Sequence, residues 1–332
     1  MSDELAHRFL GVFSTGLDPV TTDLLVGAAV VLIISGVIIA ALPRGRVSPG
    51  LLVELRRRWA TWIVIAAACF GAVLTGAAAT ALLVAAISLL GFREFARGTG
   101  LFRERMISVV FVVSVFALAF GALDNRFAQF TAVAPISLII IVVTRLFRDE
   151  PAGYLQSVSL GVIAVLMLAV GPAYLTMFTI DADAGPILLM LFSAAAVGDV
   201  SAFLFGRLIG GPKLAPNTSP GKTVSGAAGS LVVTSLFVAY VAGRIYRGTP
   251  LDSPGLLVTF GLLVAACGQL GDLVLSSIKR DIGIKDFGHA LPGHGGLLDR
   301  VDSLLLSAPA AFYFIAYFVG VGIGSTERVL TG

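Results

Sequence analysis

Long apolar runs are the feature that most constrains how this chain can fold. Ten of them recur, at approximately residues 24–42, 60–75, 79–92, 106–122, 129–145, 158–178, 186–206, 225–243, 256–276 and 303–324. A helix needs about 20 apolar residues to cross a bilayer, and a chain that is 57% hydrophobic cannot bury this much apolar surface as a soluble domain. We therefore expect an all-α, polytopic integral membrane protein with about ten transmembrane helices. Nine would form a core, and the most N-terminal helix would be an addition to it.

The second and third runs are the ones whose division is least obvious. Together they extend from position 60 to position 92, a stretch too long for one tilted crossing. We therefore place a break near Gly76, which makes them two helices.

The basic residues are distributed unevenly over the segments between the runs. If the N-terminus is outside, the inner segments are 43–59, 93–105, 145–157, 207–224 and 276–302. They hold 18 of the 23 Lys and Arg residues, as expected of cytoplasmic segments. This predicts a multi-pass protein of the cell membrane with both termini outside. Scattered basic residues suit contact with membrane lipids rather than nucleic acid.

One segment, 271–302, concentrates charge in a chain that is otherwise only 13% charged. It includes five aspartates, four Lys or Arg side chains and two of the three histidines. A solvated loop between two helices would explain the charge alone. The glycines and the proline between Gly288 and Gly296 instead indicate a tightly shaped backbone, in which glycines would let backbone amides approach a ligand near His294.

Four aspartates are candidate metal ligands. Asp199 lies inside an apolar run and Asp272 near the end of another, where charge is costly unless it has a function. Asp299 and Asp302 would share one face of a helix and repel each other unless an oxygen-liganded divalent cation lay between them. The alternatives are that Asp199 pairs with Arg207 and that Asp299 caps its helix.

The loop 207–224 is suited to bind phosphate groups. Glycines and prolines shape its turns, Ser and Thr offer hydroxyls, and Lys213 and Lys222 supply positive charge. It is not a P-loop, because Pro216 stands where that motif needs a glycine.

We divide the chain into an N-terminal transmembrane region, 1–180, with helices 1–6, and a C-terminal catalytic region, 181–332. The catalytic region contains the loops 207–224 and 276–302, whose phosphate-binding bases and clustered carboxylates suit phosphoryl or nucleotidyl transfer to a lipid.

The residues of the second loop fill a long pattern. It reads Ser276-x-Ile278-Lys279-Arg280-x4-Lys285-Asp286-x-Gly288-x2-Leu291-Pro292-x-His294-Gly295-Gly296-Leu297-x-Asp299-Arg300-Val301-Asp302. This pattern resembles the signature of the phosphatidate cytidylyltransferases (CDP-diacylglycerol synthases), and Ser219-Pro220-x-Lys222-Thr223 also resembles that family. The resemblance implies an enzyme that converts CTP and phosphatidic acid into CDP-diacylglycerol and pyrophosphate. It further implies dependence on Mg²⁺, room for a second monovalent or divalent cation, and a homodimer.

The resemblance also implies residue roles. Catalytic roles fall on Asp272, Asp299, Lys279, Arg280, Lys285 and His294. Substrate contacts fall on Ser219, Lys222, Thr223, Lys213, Arg300 and Ser276. Metal contacts fall on Asp272, Asp299, Asp302 and Asp199.

Three positions depart from the family pattern. Leu275 stands where an acidic residue is common, Ser225 where a Glu or Gln is common, and Phe203 where a tyrosine is common.

Two alternative enzymes remain, a CTP-dependent polyprenol or lipid kinase and a cytidylyltransferase for another lipid phosphate. An alternative of a different class is an ion-coupled transporter that uses Asp199 and Asp272 as its ion path.

Overall fold

The computed structural model describes residues 9, 11, 16–42, 49–147, 149, 151–181, 183–288, 295–320 and 329–331. Within these residues, ten helical segments are long and apolar enough to cross a membrane. The prediction of an all-α polytopic protein is therefore confirmed.

The ten segments follow one another with short connections. Eight of them are single helices: α1 (Pro19–Ala41), α2 (Pro49–Thr75), α3 (Ala77–Thr99), α4 (Arg105–Leu123), α5 (Phe127–Leu146), α8 (Ala184–Leu208), α9 (Val224–Ile245) and α10 (Pro254–Asp281). The sixth segment consists of α6 (Tyr154–Ile163), a π-helical stretch (Ala164–Val170) and α7 (Gly171–Met177). The last segment consists of α11 (Leu298–Val301) and α12 (Leu304–Phe318). Single 3-10 turns lie at Leu101–Arg103 and Phe178–Ile180.

The break at Gly76 is confirmed. Helix α2 ends at Thr75 and α3 begins at Ala77. Between them Gly76 has a φ of 115°, which glycine adopts without the steric cost that a Cβ would add. Helix α3 runs beyond the predicted end of its apolar run at residue 92, to Thr99. Its last two turns therefore carry polar residues, including Glu94.

Helix α1 has few contacts with the rest of the protein, in keeping with its prediction as an addition to a nine-helix core. Thr21 is its one buried residue among those described. Three of its contacts are specific: Gly36 lies directly against the indole of Trp59 on α2, the Trp59 Nε1 donates to the carbonyl of Leu32 at 2.9 Å, and Asp23 pairs with Arg244 of the helix Val224–Ile245 at 2.6 Å.

The C-terminal helices pack closely because glycines lie where they meet. A Cβ on Gly261 of α10 would overlap the carbonyl oxygen of Ser235 on α9. One on Gly271 would overlap the carbonyl oxygen of Asp302. Small residues allow this approach of helix backbones in membranes, and here it holds the end of α10 against the segment that carries the last two signature aspartates.

The loop after α8 folds as a β-hairpin, which the sequence did not predict. Strands β1 (Lys213–Ala215) and β2 (Ser219–Thr223) pair antiparallel, with Lys213 opposite Thr223. Thr223 also begins α9, since its Oγ1 accepts from the backbone N–H of Gly226 at 3.1 Å. The hairpin is thus continuous with the start of a transmembrane helix, which fixes its direction.

Asp124, just after α4, holds the C-terminal end of the chain. Its buried carboxylate accepts from Arg126 Nε (2.6 Å), from the N–H groups of Leu330 (2.6 Å) and Thr331 (3.2 Å), and from the Thr331 hydroxyl (2.8 Å). Burial by itself would raise the pKa of this carboxyl, but the four hydrogen bonds outweigh burial and hold the pKa below its usual range.

Replacing Asp124 by asparagine is expected to lower the melting temperature at pH 7. A carboxyl whose folded-state pKa is depressed contributes stability above its unfolded pKa of about 3.9, and loses that contribution as the pH falls through the folded value. The gap in melting temperature between wild type and Asp124→Asn should therefore shrink as the pH falls below about 4. Thermal unfolding at a series of pH values measures this, and a gap that does not depend on pH would contradict it.

Candidate active site

A single cavity of about 630 Å³ collects most of the predicted site residues. It lies among α8, α9, α10, the hairpin and the start of the last helical segment. The predicted residues that line it are Asp199, Lys213, Lys222, Thr223, Asp272, Lys279, Asp299, Arg300 and Asp302. The two polar loops therefore contribute to one site, as the sequence predicted.

The cavity continues from this charged end into the middle of the membrane spans. Its inner walls are formed by small or apolar residues of α8, α9 and α10. They include Ala194, Ala195, Ala227, Val264, Ala265 and Gly268. Two hydroxyl residues of α9, Ser230 and Thr234, also face it. The site thus joins a polar compartment to an apolar one.

Lys222 and Asp272 meet at the charged end. The Lys222 Nζ lies 2.5 Å from Asp272 Oδ2, and the Ser276 hydroxyl donates to Asp272 Oδ1 at 3.1 Å. Both partners of the ion pair remain about a quarter exposed, at 25% and 29%. A partly exposed ion pair contributes at most about 1 kcal/mol to stability, so this pair is better suited to binding than to holding the fold.

Asp299 is enclosed by a different set of donors. Its Oδ1 accepts from Lys279 Nζ at 2.6 Å, and its Oδ2 accepts from the N–H groups of Phe287 (3.3 Å) and Gly296 (3.2 Å). The side chains of Asp299 and Lys279 are 4% and 10% exposed. Asp299 therefore links the end of α10 to both sides of the loop between α10 and α11, which we call the signature loop. The sequence did not predict this role.

The environment of Arg300 indicates that the site binds an anionic ligand. Its Nε is buried, and none of the described residues accepts a hydrogen bond from it. Arg300 also lines the cavity and interacts electrostatically with Asp199. The sequence paired Asp199 with Arg207 as an alternative, whereas the basic groups that act on Asp199 here are Arg300 and Lys222.

Three carboxylates that line the cavity also act on one another. Asp199 interacts electrostatically with Asp272, and Asp302 with both. In the described part of the chain, no three His, Cys, Asp or Glu side chains are placed to hold a metal ion by themselves. Mg²⁺ in proteins is commonly bound by one or two carboxylates together with substrate phosphates. These oxygen donors fit such an ion. Asp272 contacts two donor groups, Lys222 and Ser276, and Asp302 accepts from the N–H of Ser303, whereas Asp299 accepts from three donors.

Several predicted residues have contacts elsewhere. The Arg280 guanidinium donates to the carbonyls of Thr218 (3.1 Å) and Ile284 (3.3 Å), so it links the hairpin to the signature loop. Lys285 is exposed and, like Ser219 and Arg280, is not among the described residues that line the cavity. Of the residues that do line it, Thr223 uses its hydroxyl to cap α9. His294 lies outside the described residues.

The three departures from the family pattern have separate environments. Leu275 is fully buried, so an acidic side chain there would meet the core. The Ser225 hydroxyl donates to the carbonyl of Gly210 and lies 3.1 Å from the Thr223 hydroxyl, which fixes the base of the hairpin. Phe203 is 68% exposed and stands at the cavity wall.

Sequence reasoning missed three residues of this region. Asp286 and Gln269 line the cavity, and Glu94 of α3 accepts hydrogen bonds at the start of α11. Asp286 was within the signature and could have been found. Glu94 lies in the N-terminal region, far from the signature in the chain, and its one signal was a charge at the end of an apolar run.

Comparison with known proteins gives consistent results. A model of the cytidylyltransferase family matches residues 56–318. The uncharacterized protein YnbB of Escherichia coli is 36% identical over 273 residues, which are 80% of this chain and 88% of that protein. The phosphatidate cytidylyltransferase of Brucella abortus is 42% identical over 133 residues, covering 40% of this chain and 47% of the relative. That of Mycobacterium leprae is 38% identical over 165 residues, covering 48% and 50%. The chain thus spans about half the length of these two named relatives.

Proposed function

The chain belongs to the cytidylyltransferase family, and on that premise we propose that it transfers the cytidylyl group of CTP to phosphatidic acid. The products would be CDP-diacylglycerol and pyrophosphate, which makes the reaction a step of phospholipid biosynthesis. The relatives from Brucella abortus and Mycobacterium leprae described above are named phosphatidate cytidylyltransferase.

The shape of the cavity is the observation that carries the proposal. Its charged end offers Lys222, Lys213 and Arg300 to phosphate groups, and its inner end lies among apolar residues in the middle of the spans. A water-soluble nucleotide and the phosphate of a membrane lipid can therefore meet in one compartment while the acyl chains stay in an apolar environment. An ion path needs no such pairing of phosphate-binding bases with an apolar wall.

In the proposed reaction, an oxygen of the lipid phosphate attacks the α-phosphorus of CTP. A new P–O–P bond forms, and the bond from the α-phosphorus to the bridging oxygen of the β-phosphate breaks, so that pyrophosphate leaves with the electron pair. Catalysis of such a step rests on positioning and on neutralising charge. We assign Lys222 and Lys213 to the nucleotide phosphates, because both belong to the hairpin. Arg300, whose Nε finds no acceptor among the described residues, is assigned to the lipid phosphate or the developing charge.

We propose Mg²⁺ as the cofactor, held by Asp272 and Asp302 with Asp199 nearby. When bound, it would neutralise the phosphate oxygens and stabilise the leaving pyrophosphate. The carboxylates alone would repel CTP, and Lys222 and Arg300 offset only part of that charge. A second, monovalent or divalent cation stays an expectation from the resemblance.

We further propose that the site faces the cytoplasm of a plasma-membrane protein. The support is the excess of Lys and Arg in the segments on this side of the predicted topology. Ten crossings would place both termini outside. The homodimer rests on the family resemblance.

The wild-type protein is expected to release pyrophosphate and form CDP-lipid in equal amounts when given CTP, Mg²⁺ and phosphatidic acid in detergent micelles. Adding a chelator should abolish both products, and excess Mg²⁺ should restore them. A CTP-dependent lipid kinase would release CDP and no pyrophosphate. Ion flux in liposomes that lack CTP would support a transporter. Either of those results in place of CDP-lipid would contradict the proposed function.

A further inference from the structure

One face of α3 is built to receive the signature loop. Gly91, Glu94, Phe95 and Gly98 recur at helical spacing on that face. The Phe95 ring lies 5.7 Å from that of Phe287, centroid to centroid. A Cβ on Gly98 would come within 3.2 Å of the same ring, and one on Gly91 would touch Leu298. Apolar contacts therefore dock both sides of the loop on α3.

Glu94 is the polar group at the centre of this face. Its Oε1 accepts from the N–H of Leu297 and its Oε2 from the N–H of Leu298, both at 3.0 Å. These N–H groups belong to the first turn of the last helical segment and have no carbonyl partner within that helix. A carboxylate there satisfies both donors and complements the positive end of the helix.

The position of Glu94 explains two glycines of the signature. A Cβ on Gly288 would collide with the Glu94 carboxylate, and one on Gly296 would lie 2.6 Å from Glu94 Oε2. In the chain, Gly288 precedes residues 289–294 and Gly296 follows them. The carboxylate therefore occupies the space that two side chains would otherwise fill, and it contacts the loop where it leaves α10 and where it enters the last span.

The same short stretch carries the residues of the site. Leu297 and Leu298 directly precede Asp299 and Arg300, and Gly296 donates its N–H to Asp299 Oδ2. A shift at Leu297 would therefore move Asp299 relative to Lys279, and Arg300 relative to the cavity.

We propose that Glu94 is a positioning residue for the reaction, a role that rests on the proposed function. Glu94 is not among the described residues that line the cavity. Its carboxylate fixes the backbone at Leu297 and Leu298 and thereby sets Asp299 and Arg300. Through it, the N-terminal half of the chain takes part in the site.

The test compares Glu94→Gln with Glu54→Gln in the full-length protein. Glutamine keeps the shape of Glu94 but turns an amide donor toward one of the two N–H groups. We expect kcat of Glu94→Gln to fall about tenfold or more. The KM for CTP should change less than about threefold, because the hairpin that we assign to CTP does not contact Glu94. Glu54, whose carboxylate pairs with Arg58 and is 48% exposed, serves as the control that should behave as wild type.

Hydrogen exchange provides a readout that does not depend on the reaction. The amides of Leu297 and Leu298 should exchange about tenfold faster in Glu94→Gln than in wild type, with the melting temperature nearly unchanged. An unchanged kcat in an active enzyme, or an unchanged exchange rate, overturns the proposal. If the wild-type protein forms no CDP-lipid, the proposed function fails, and the exchange rate alone decides whether Glu94 holds this backbone.

A second variant tests the same contact from the other side. In Gly288→Ala the methyl group should displace the Glu94 carboxylate and lower kcat to a similar degree. In a Glu94→Ala background the same substitution should have little further effect, because the space is then open. Gly255→Ala, where a Cβ would meet no described atom within 4 Å outside its own helix, is the matched control. Independent, additive losses from Gly288→Ala and Glu94→Ala would overturn the proposal.

Discussion

Replacing Asp299 by asparagine is expected to lower the rate of CTP incorporation at least a hundredfold. The amide would present a donor either to the Lys279 ammonium or to the N–H groups of Phe287 and Gly296, all of which now donate to the carboxylate. Removing one partner of a buried ion pair costs about 3–5 kcal/mol, because the Lys279 side chain, only 10% exposed, would keep its charge without a counterion. That energy is a large fraction of the stability of a typical domain, about 5–15 kcal/mol, so folding must be measured beside activity.

A double variant separates the two effects. Lys279→Gln combined with Asp299→Asn removes both charges and should recover most of the lost melting temperature. Activity should stay low, because the charge and the loop contacts that the site needs are still missing. The measurements are CDP-lipid formation and thermal unfolding in the same detergent. Near-normal turnover in Asp299→Asn, or recovery of turnover in the double variant, would show that the charged pair has no part in the reaction.

The membrane architecture could be predicted from the sequence because it depends on local composition. An apolar run of sufficient length has few alternatives to a helix in a bilayer. The break at Gly76 followed from length, since the apolar stretch from position 60 to position 92 exceeds what one crossing can use, and from the uneven distribution of Lys and Arg that ten crossings produce. The limits of the prediction lie at the helix ends, where polar residues extend α3 past its apolar run.

The contacts of the site were less predictable because they join distant parts of the chain. The hairpin at 213–223 has too few residues and no clear alternation to indicate strands. Thr223 was assigned to the nucleotide, although its hydroxyl caps a helix. The glycines at 288 and 296 indicated a close approach, but the approaching group, Glu94, lies on another helix. The sequence pattern predicts that these positions must lack a side chain, whereas the packing of the transmembrane helices decides which group fills the space beside them.

Replacing Lys222 by alanine is expected to raise the KM for CTP about tenfold or more, because a charge-assisted contact to phosphate is lost at a side chain that is only 25% exposed. The ion pair with Asp272 is partly exposed, so its loss should cost less than about 1 kcal/mol of stability. The protein should therefore stay folded, and the effect should appear in binding. The substitution also frees Asp272 to repel the nucleotide phosphates, which adds to the rise in KM.

The substrate dependence of this variant identifies what Lys222 holds. Initial rates measured against CTP and against phosphatidic acid should show the increase in KM for CTP and little change for the lipid. Arg247→Ala removes an exposed charge from the connection between α9 and α10 and should leave both values as in wild type. Raising Mg²⁺ should partly compensate for Lys222→Ala, since a cation at Asp272 would offset the charge that the lysine no longer neutralises. A rise confined to the KM for the lipid would instead assign the hairpin to phosphatidic acid and leave CTP to Arg300 and the signature loop.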